Sequence, residues 1–109
     1  MEQKALYQIT QDAIDDLHAI HACTVTNWGT VQAEKYLRQL QEHFSLLAQS
    51  PNLGFVCSDI DENSEFVSRR LACAEHVVYY KVVKKSVVIY AVLHRSMLPG
   101  NHLVERDLE

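Results

Sequence analysis

Apolar and β-branched residues crowd into residues 75–97, and within them residues 77–83 and 87–93 are almost wholly β-branched, aromatic or aliphatic. That composition suits a pleated, packed surface, and the intervening Lys84, Lys85 and Ser86 are few enough to close an antiparallel pair. Period-two alternation divides this pair into two faces. Val78, Tyr80 and Val82 share one face with Val87, Ile89, Ala91 and Leu93, and this face is predicted to be the core. Val77, Tyr79 and Lys81 share the other with Val88, Tyr90, Val92 and His94. The second face is too apolar for solvent, and one pair of helices can cover only one side of a sheet. It is therefore expected to lie open and to belong to a partner.

Before the strand pair the periodicity changes. Residues 5–10 alternate weakly and predict a first strand. Thr10 is a suitable N-cap, and Asp12, Asp15 and Asp16 follow where carboxylates favour the helix dipole. Ala13, Ile14, Leu17, Ile20 and Thr24 then fall at helical spacing. The run Thr24-Val25-Thr26-Asn27 is a poor helix former, so the first helix is predicted to stop near Thr24, with Trp28-Gly29 as the break. Thr30 is predicted to cap a second helix reaching Gln49, with a stripe of Ala33, Leu37, Leu40, Phe44 and Leu47. Two long helices so tightly joined form an antiparallel hairpin, and Trp28 is expected to plug its end. Residues 55–65 read as an acidic connecting loop and residues 66–73 as a further strand. Beyond Pro99-Gly100, Asn101 is placed to cap a short helix carrying Leu103, Val104 and Leu108.

The predicted fold is thus α+β, a two-layer sandwich in the order β-α-α-β-β-β with a short C-terminal helix. The helical hairpin packs on an antiparallel-rich sheet. At 109 residues this is a single domain, residues 1–109, able to bury a core without a metal or disulfide staple.

Charge modifies the picture. Residues 1–65 hold ten acids against three bases, whereas in residues 66–102 only Glu75 opposes six bases. A basic sheet beside acidic helices suggests an anionic partner, either an acidic protein segment or nucleic acid. The longest apolar run, residues 87–93, is far short of the ~20 residues of a membrane helix, so a cytoplasmic protein without membrane contact is expected. Cys23, Cys57 and Cys73 are odd in number and lack metal-ligand spacing, and read as reduced small hydrophobes. His18 and His21 with Cys23 form no convincing zinc set, and the three well-separated glycines make no phosphate loop. Neither a metal nor a cofactor is expected. The ionisable cluster of interest is Tyr79, Lys81, Tyr90 and His94, followed by Arg95. It could move protons in RNA cleavage or form the polar rim of a protein-binding patch.

Several short motifs, in order, carry a resemblance. Thr10, Ala13, Asp16, Leu17 and Ile20 come first, then Trp28-Gly29, Gln32-Ala33 and Tyr36. Asp59-Ile60, His76-Val77-Val78-Tyr79-Tyr80 and above all Leu93-His94-Arg95-Ser96-Met97 complete the series. Across nearly the whole chain this resembles the ParE-type toxins of the ParE/RelE superfamily. Leu98-Pro99-Gly100 departs from the family's ending, where an acidic residue commonly follows the methionine. The resemblance implies a growth inhibitor that binds DNA gyrase, performs no catalysis and is neutralised by a ParD-like antitoxin. His94, Arg95 and Met97 are the expected gyrase-binding residues. Val77, Tyr79, Lys81, Val88, Tyr90 and Val92 are the expected antitoxin-binding residues, with a second part of the antitoxin along the helical hairpin. Direct nucleic-acid binding is not expected, and without antitoxin the same face or a sheet edge could let the chain self-associate. The alternative is the RelE branch, a ribosome-dependent endoribonuclease using Lys81, Tyr90 and His94 on an open sheet face.

Overall fold

The computed structural model describes residues 7–57, 68–83 and 86–96. The elements are β1 (Tyr7–Ile9), α1 (Gln11–Trp28), α2 (Thr30–Gln49), a 3-10 turn at Pro51–Leu53, β2 (Phe55–Val56), β3 (Ser68–Cys73), β4 (His76–Val83) and β5 (Ser86–His94). The predicted C-terminal helix lies outside the described residues. The five strands form one sheet in the order β1-β5-β4-β3-β2. Only β1 and β5 run parallel; the helical hairpin carries the chain across the sheet from β1 at one edge to β2 at the other, and the remaining pairs are antiparallel. Among the described residues no helix is long and apolar enough to cross a membrane.

The helix starts where its sequence signals place it. The Thr10 hydroxyl accepts the Ala13 N–H at 3.2 Å. The end of α1 is different, because the helix runs through Thr24-Val25-Thr26-Asn27 to Trp28. Weak propensity is overridden there, and the polar side chains fold back on the helix itself instead of competing for its backbone. Thr24 Oγ1 donates to Ile20 O at 2.7 Å, Thr26 Oγ1 to Ala22 O at 3.0 Å and Asn27 Nδ2 to Cys23 O at 3.0 Å. Gly29 alone joins the helices. Its φ of 91° ends α1, and the same residue, not Thr30, is the N-cap of α2. So sharp a corner throws Trp28 outward. It is 75 % exposed and plugs nothing.

Ala13 and Leu17 of α1 and Leu40, Phe44 and Leu47 of α2 pack on Val78, Tyr80, Val87, Ile89 and Val92 of the sheet. Tyr7 closes one side against Phe44, ring centroids 5.7 Å apart. The predicted face assignment holds through Ile89 and then fails. Tyr79 pairs with Ala91 but Tyr80 pairs with Ile89, leaving Tyr90 as an extra residue in a β-bulge. Beyond the bulge the faces exchange, so Val92 joins the helix-covered core while Ala91 and Leu93 join Tyr79 and Tyr90 on the other side. That other side is not open. Tyr79, Tyr90, Ala91, Leu93 and Cys57 form a second buried cluster, with Val77 packed against it.

Two further connections were not evident from the pattern. Residues 55–56, expected in a loop, form the edge strand β2, pairing Phe55 with Arg70 and Val56 with Arg69. At the opposite edge β1 stops at Ile9, and Thr10 N–H closes its ladder on Ile89 O at 3.0 Å. Farther along β5, the Val92 N–H is taken by Asp16 Oδ2 from α1 at 2.9 Å. A buried strand N–H needs a partner, and a helix carboxylate supplies it where the neighbouring strand has ended.

Candidate functional site

The chemistry-bearing residues gather where the helical corner meets the ends of β4 and β5. His76 and His94 are cross-strand partners in the terminal pair of the β4–β5 ladder. Their rings meet edge to face with centroids 5.4 Å apart. From α2, Tyr36 reaches the same place, its hydroxyl 2.6 Å from His76 Nδ1 and 3.3 Å from the Cys73 carbonyl. The Tyr36 oxygen also accepts the Glu75 N–H at 3.2 Å. Across the opening stand Cys23, Thr24, Asn27 and Trp28 from the last turns of α1 and Gln32 from α2. The cleft between them has a volume of about 770 Å³.

Burial sets the protonation of its floor. It pushes the His76 imidazole below its ordinary 6.5, the neighbouring His94 acts the same way, and Glu75 opposes both. Burial also raises the Tyr36 hydroxyl above its ordinary 10.0, so the phenol stays protonated near neutrality and its proton is available to the neutral His76 Nδ1. The His94 Nδ1 accepts the Ser96 N–H at 3.2 Å, with Ser96 Oγ at 2.8 Å, which assigns the ring proton of neutral His94 to Nε2.

The lowered His76 value makes stability depend on pH. The unfolded imidazole binds its proton more readily than the folded one, so the stabilisation is fully present above about pH 6.5 and is lost as pH falls through the lower folded value. Urea midpoints are expected to drop between pH 7.5 and 5.5, and His76→Gln to flatten part of that drop. Parallel decline in parent and variant would assign the acid sensitivity to other groups.

Arg95 follows in an exposed turn. Its Nε lies 3.2 Å from Glu75 Oε1, and its backbone N–H donates to Glu75 O at 2.9 Å. Of the expected target-binding residues, His94 and Arg95 are therefore adjacent at the end of β5, one half-buried and one exposed. Met97 lies outside the described residues. The residues expected to meet an antitoxin are placed otherwise. Tyr79, Lys81, Val88 and Tyr90 are 3, 5, 7 and 0 % exposed, and Val77 is half-buried beside them. Val92, 2 % exposed, sits under the helices on the opposite face. Lys81 and Tyr90 do not share a surface with His94, which faces the cleft.

Three residues at this cleft escaped the sequence reading as site residues: Tyr36, Glu75 and His76. A helical tyrosine on an apolar stripe and a histidine starting a strand carry no local mark of their partnership. Trp28 was singled out but misplaced. Between the two helices a second, smaller groove of about 520 Å³ is lined by Ile14, Leu17 and Leu37 with His18, His21 and Gln41.

The comparisons with known proteins agree with one another. A family model described as "ParE toxin of type II toxin-antitoxin system, parDE" matches residues 7–99. A Toxin ParE1 from Caulobacter vibrioides is 37 % identical over 97 residues, covering 89 % of this chain and 96 % of that protein. A Toxin ParE1 from Mycobacterium tuberculosis is 33 % identical over 92 residues, covering 84 % of this chain and 90 % of that protein. A chain from a structure titled "Chromosomal ParDE TA system from P. aeruginosa" superposes with a TM-score of 0.68 over 84 % of this chain and 98 % of its own. At 21 % identity that likeness speaks for the fold alone.

Proposed function

The chain belongs to the ParE toxin family of type II toxin–antitoxin systems, and from this we propose that it arrests growth by binding DNA gyrase, performs no chemistry on its target, and is neutralised by a ParD-like antitoxin. The observation that carries the reading is the Arg95 turn. An exposed guanidinium just past the end of β5 pairs with Glu75, which lines the cleft bordered by a largely exposed indole, Trp28. Arginine and tryptophan are the side chains from which protein-binding hot spots are most often built.

The same geometry disfavours RNA cleavage. A ribonuclease would present Lys81, Tyr90 and His94 together to a phosphodiester, yet Lys81 and Tyr90 are buried and His94 faces elsewhere. For the antitoxin, the sheet-face residues are core in the chain alone, which favours docking along the helical hairpin, where an apolar groove is lined by Ile14, Leu17 and Leu37.

Purified toxin tested against gyrase supercoiling, together with induction in cells, decides the target. Loss of supercoiling and a DNA-damage response are expected. Rapid loss of messenger RNA with DNA intact would overturn the gyrase reading in favour of the ribosome.

A further inference from the structure

The turn between β3 and β4 contains the one non-glycine residue with positive φ among the described residues, Ala74 at 56°. Its two central residues are Ala74 and Glu75, since Cys73 and His76 form the last pair of the ladder. A hairpin turn with positive φ at its first central residue ordinarily calls for glycine there. An alanine held in that conformation is strained, and such strain persists only where the surroundings over-determine it.

Here the surroundings converge on one atom. The Tyr36 hydroxyl touches the residue on each side of Ala74 and the residue after those: the Cys73 carbonyl, the Glu75 N–H and the His76 ring nitrogen. Glu75, so fixed, holds Arg95 twice, by its carbonyl to the backbone N–H and by its carboxylate to Nε. An exposed arginine beside a glutamate normally samples many rotamers, and an ion pair in solvent restrains it little. Here the backbone is tied on both sides of the pair, since the Tyr36 hydroxyl accepts the Glu75 N–H and the Glu75 carbonyl accepts the Arg95 N–H.

We propose that Tyr36 is a positioning residue for Arg95: through the Ala74–Glu75 turn it presents the guanidinium to the protein target. The proposal rests on the reading of Arg95 as a target-binding residue. Tyr36 itself, half-buried between α2 and the turn, need not touch that target.

The test is a double-mutant cycle in a gyrase supercoiling assay, using Tyr36→Phe, Arg95→Ala and the double variant. Antitoxin affinity and the melting temperature are measured alongside. Tyr36→Phe keeps the ring that packs on the core and removes only the hydroxyl. It is expected to raise the half-inhibitory concentration by about tenfold, and the double variant to be no worse than Arg95→Ala alone, since groups acting through one another are not additive. Antitoxin affinity should stay within about twofold, because an independent surface is untouched. The Arg95 Nε–H signal in an NMR spectrum should also shift toward the solvent-averaged position in Tyr36→Phe.

If Tyr36→Phe inhibits as well as the parent while Arg95→Ala does not, the positioning role is overturned and the target reading stands. If the two losses multiply in the double variant, Tyr36 acts independently of Arg95 and the proposal is equally overturned. If Arg95→Ala inhibits like the parent, the target reading itself falls, and the positioning role falls with it.

Discussion

Arg95→Glu is expected to abolish gyrase inhibition, raising the half-inhibitory concentration by about 100-fold or more, as reversal of a charge at an interface does when it meets a partner of the new sign. In this variant the new carboxylate would also face Glu75, which now lies 3.2 Å from the arginine Nε. Repulsion would drive the side chain off the position the arginine occupies. The pair is exposed on both sides, with side chains 67 % and 59 % accessible, so its loss should change stability by less than about 1 kcal/mol. Affinity for the antitoxin should stay near the parent's if the antitoxin occupies the hairpin groove. The measurement is a supercoiling titration run beside a melting curve and an antitoxin titration. An Arg95→Glu protein that inhibits as the parent does, or that fails to fold, would place the toxic surface elsewhere.

Gly54→Ala is expected to produce a large loss of stability. Its φ of −81° and ψ of 169° suit any residue, so the demand for glycine here is one of space. A Cβ at this position would lie 2.5 Å from the Arg70 carbonyl oxygen, 2.6 Å from the Tyr80 hydroxyl and 2.9 Å from Tyr80 Cε1. Those neighbours cannot easily yield. The Tyr80 hydroxyl donates to Pro51 O at 2.7 Å and accepts the Gly54 N–H at 2.8 Å, and its ring lies wholly within the core. Arg69 Nη1 adds a bond to Gly54 O at 2.8 Å. Overpacking combined with broken buried hydrogen bonds should cost about 3 kcal/mol, lowering the melting temperature by more than about 10 °C. Pairing the change with Tyr80→Phe should not rescue it, because the Arg70 carbonyl clash remains. A melting temperature within a few degrees of the parent's would show that β2 and the 3-10 turn move aside at little cost.

The parts of this protein that its sequence determined are those governed by local periodicity. The stripe from Ala33 to Leu47 places α2, and the alternation of Val78 and Tyr80 with Val87 and Ile89 places the core face of the central strands. Thr10 announces the start of α1 by its own capping bond. The family was also legible, since short motifs in a fixed order survive where no single one is specific. What tertiary structure alone decided begins with the bulge at Tyr90. One extra residue reverses every later side chain of β5, and no feature of the run Val87-Val88-Ile89-Tyr90-Ala91-Val92-Leu93 distinguishes the position where it occurs, because all seven residues are apolar or aromatic and both sheet faces are buried. Val92 and Leu93 exchanged faces for that reason. Trp28 turned outward because a one-residue corner fixes the directions of both helices, a geometric consequence that propensity does not contain. The site cleft unites Tyr36 with Glu75 and His76, some forty positions along the chain, and Glu75 in turn holds Arg95. Such contacts are set by how a helix docks on a sheet, and the sequence records only that each residue is compatible with the meeting.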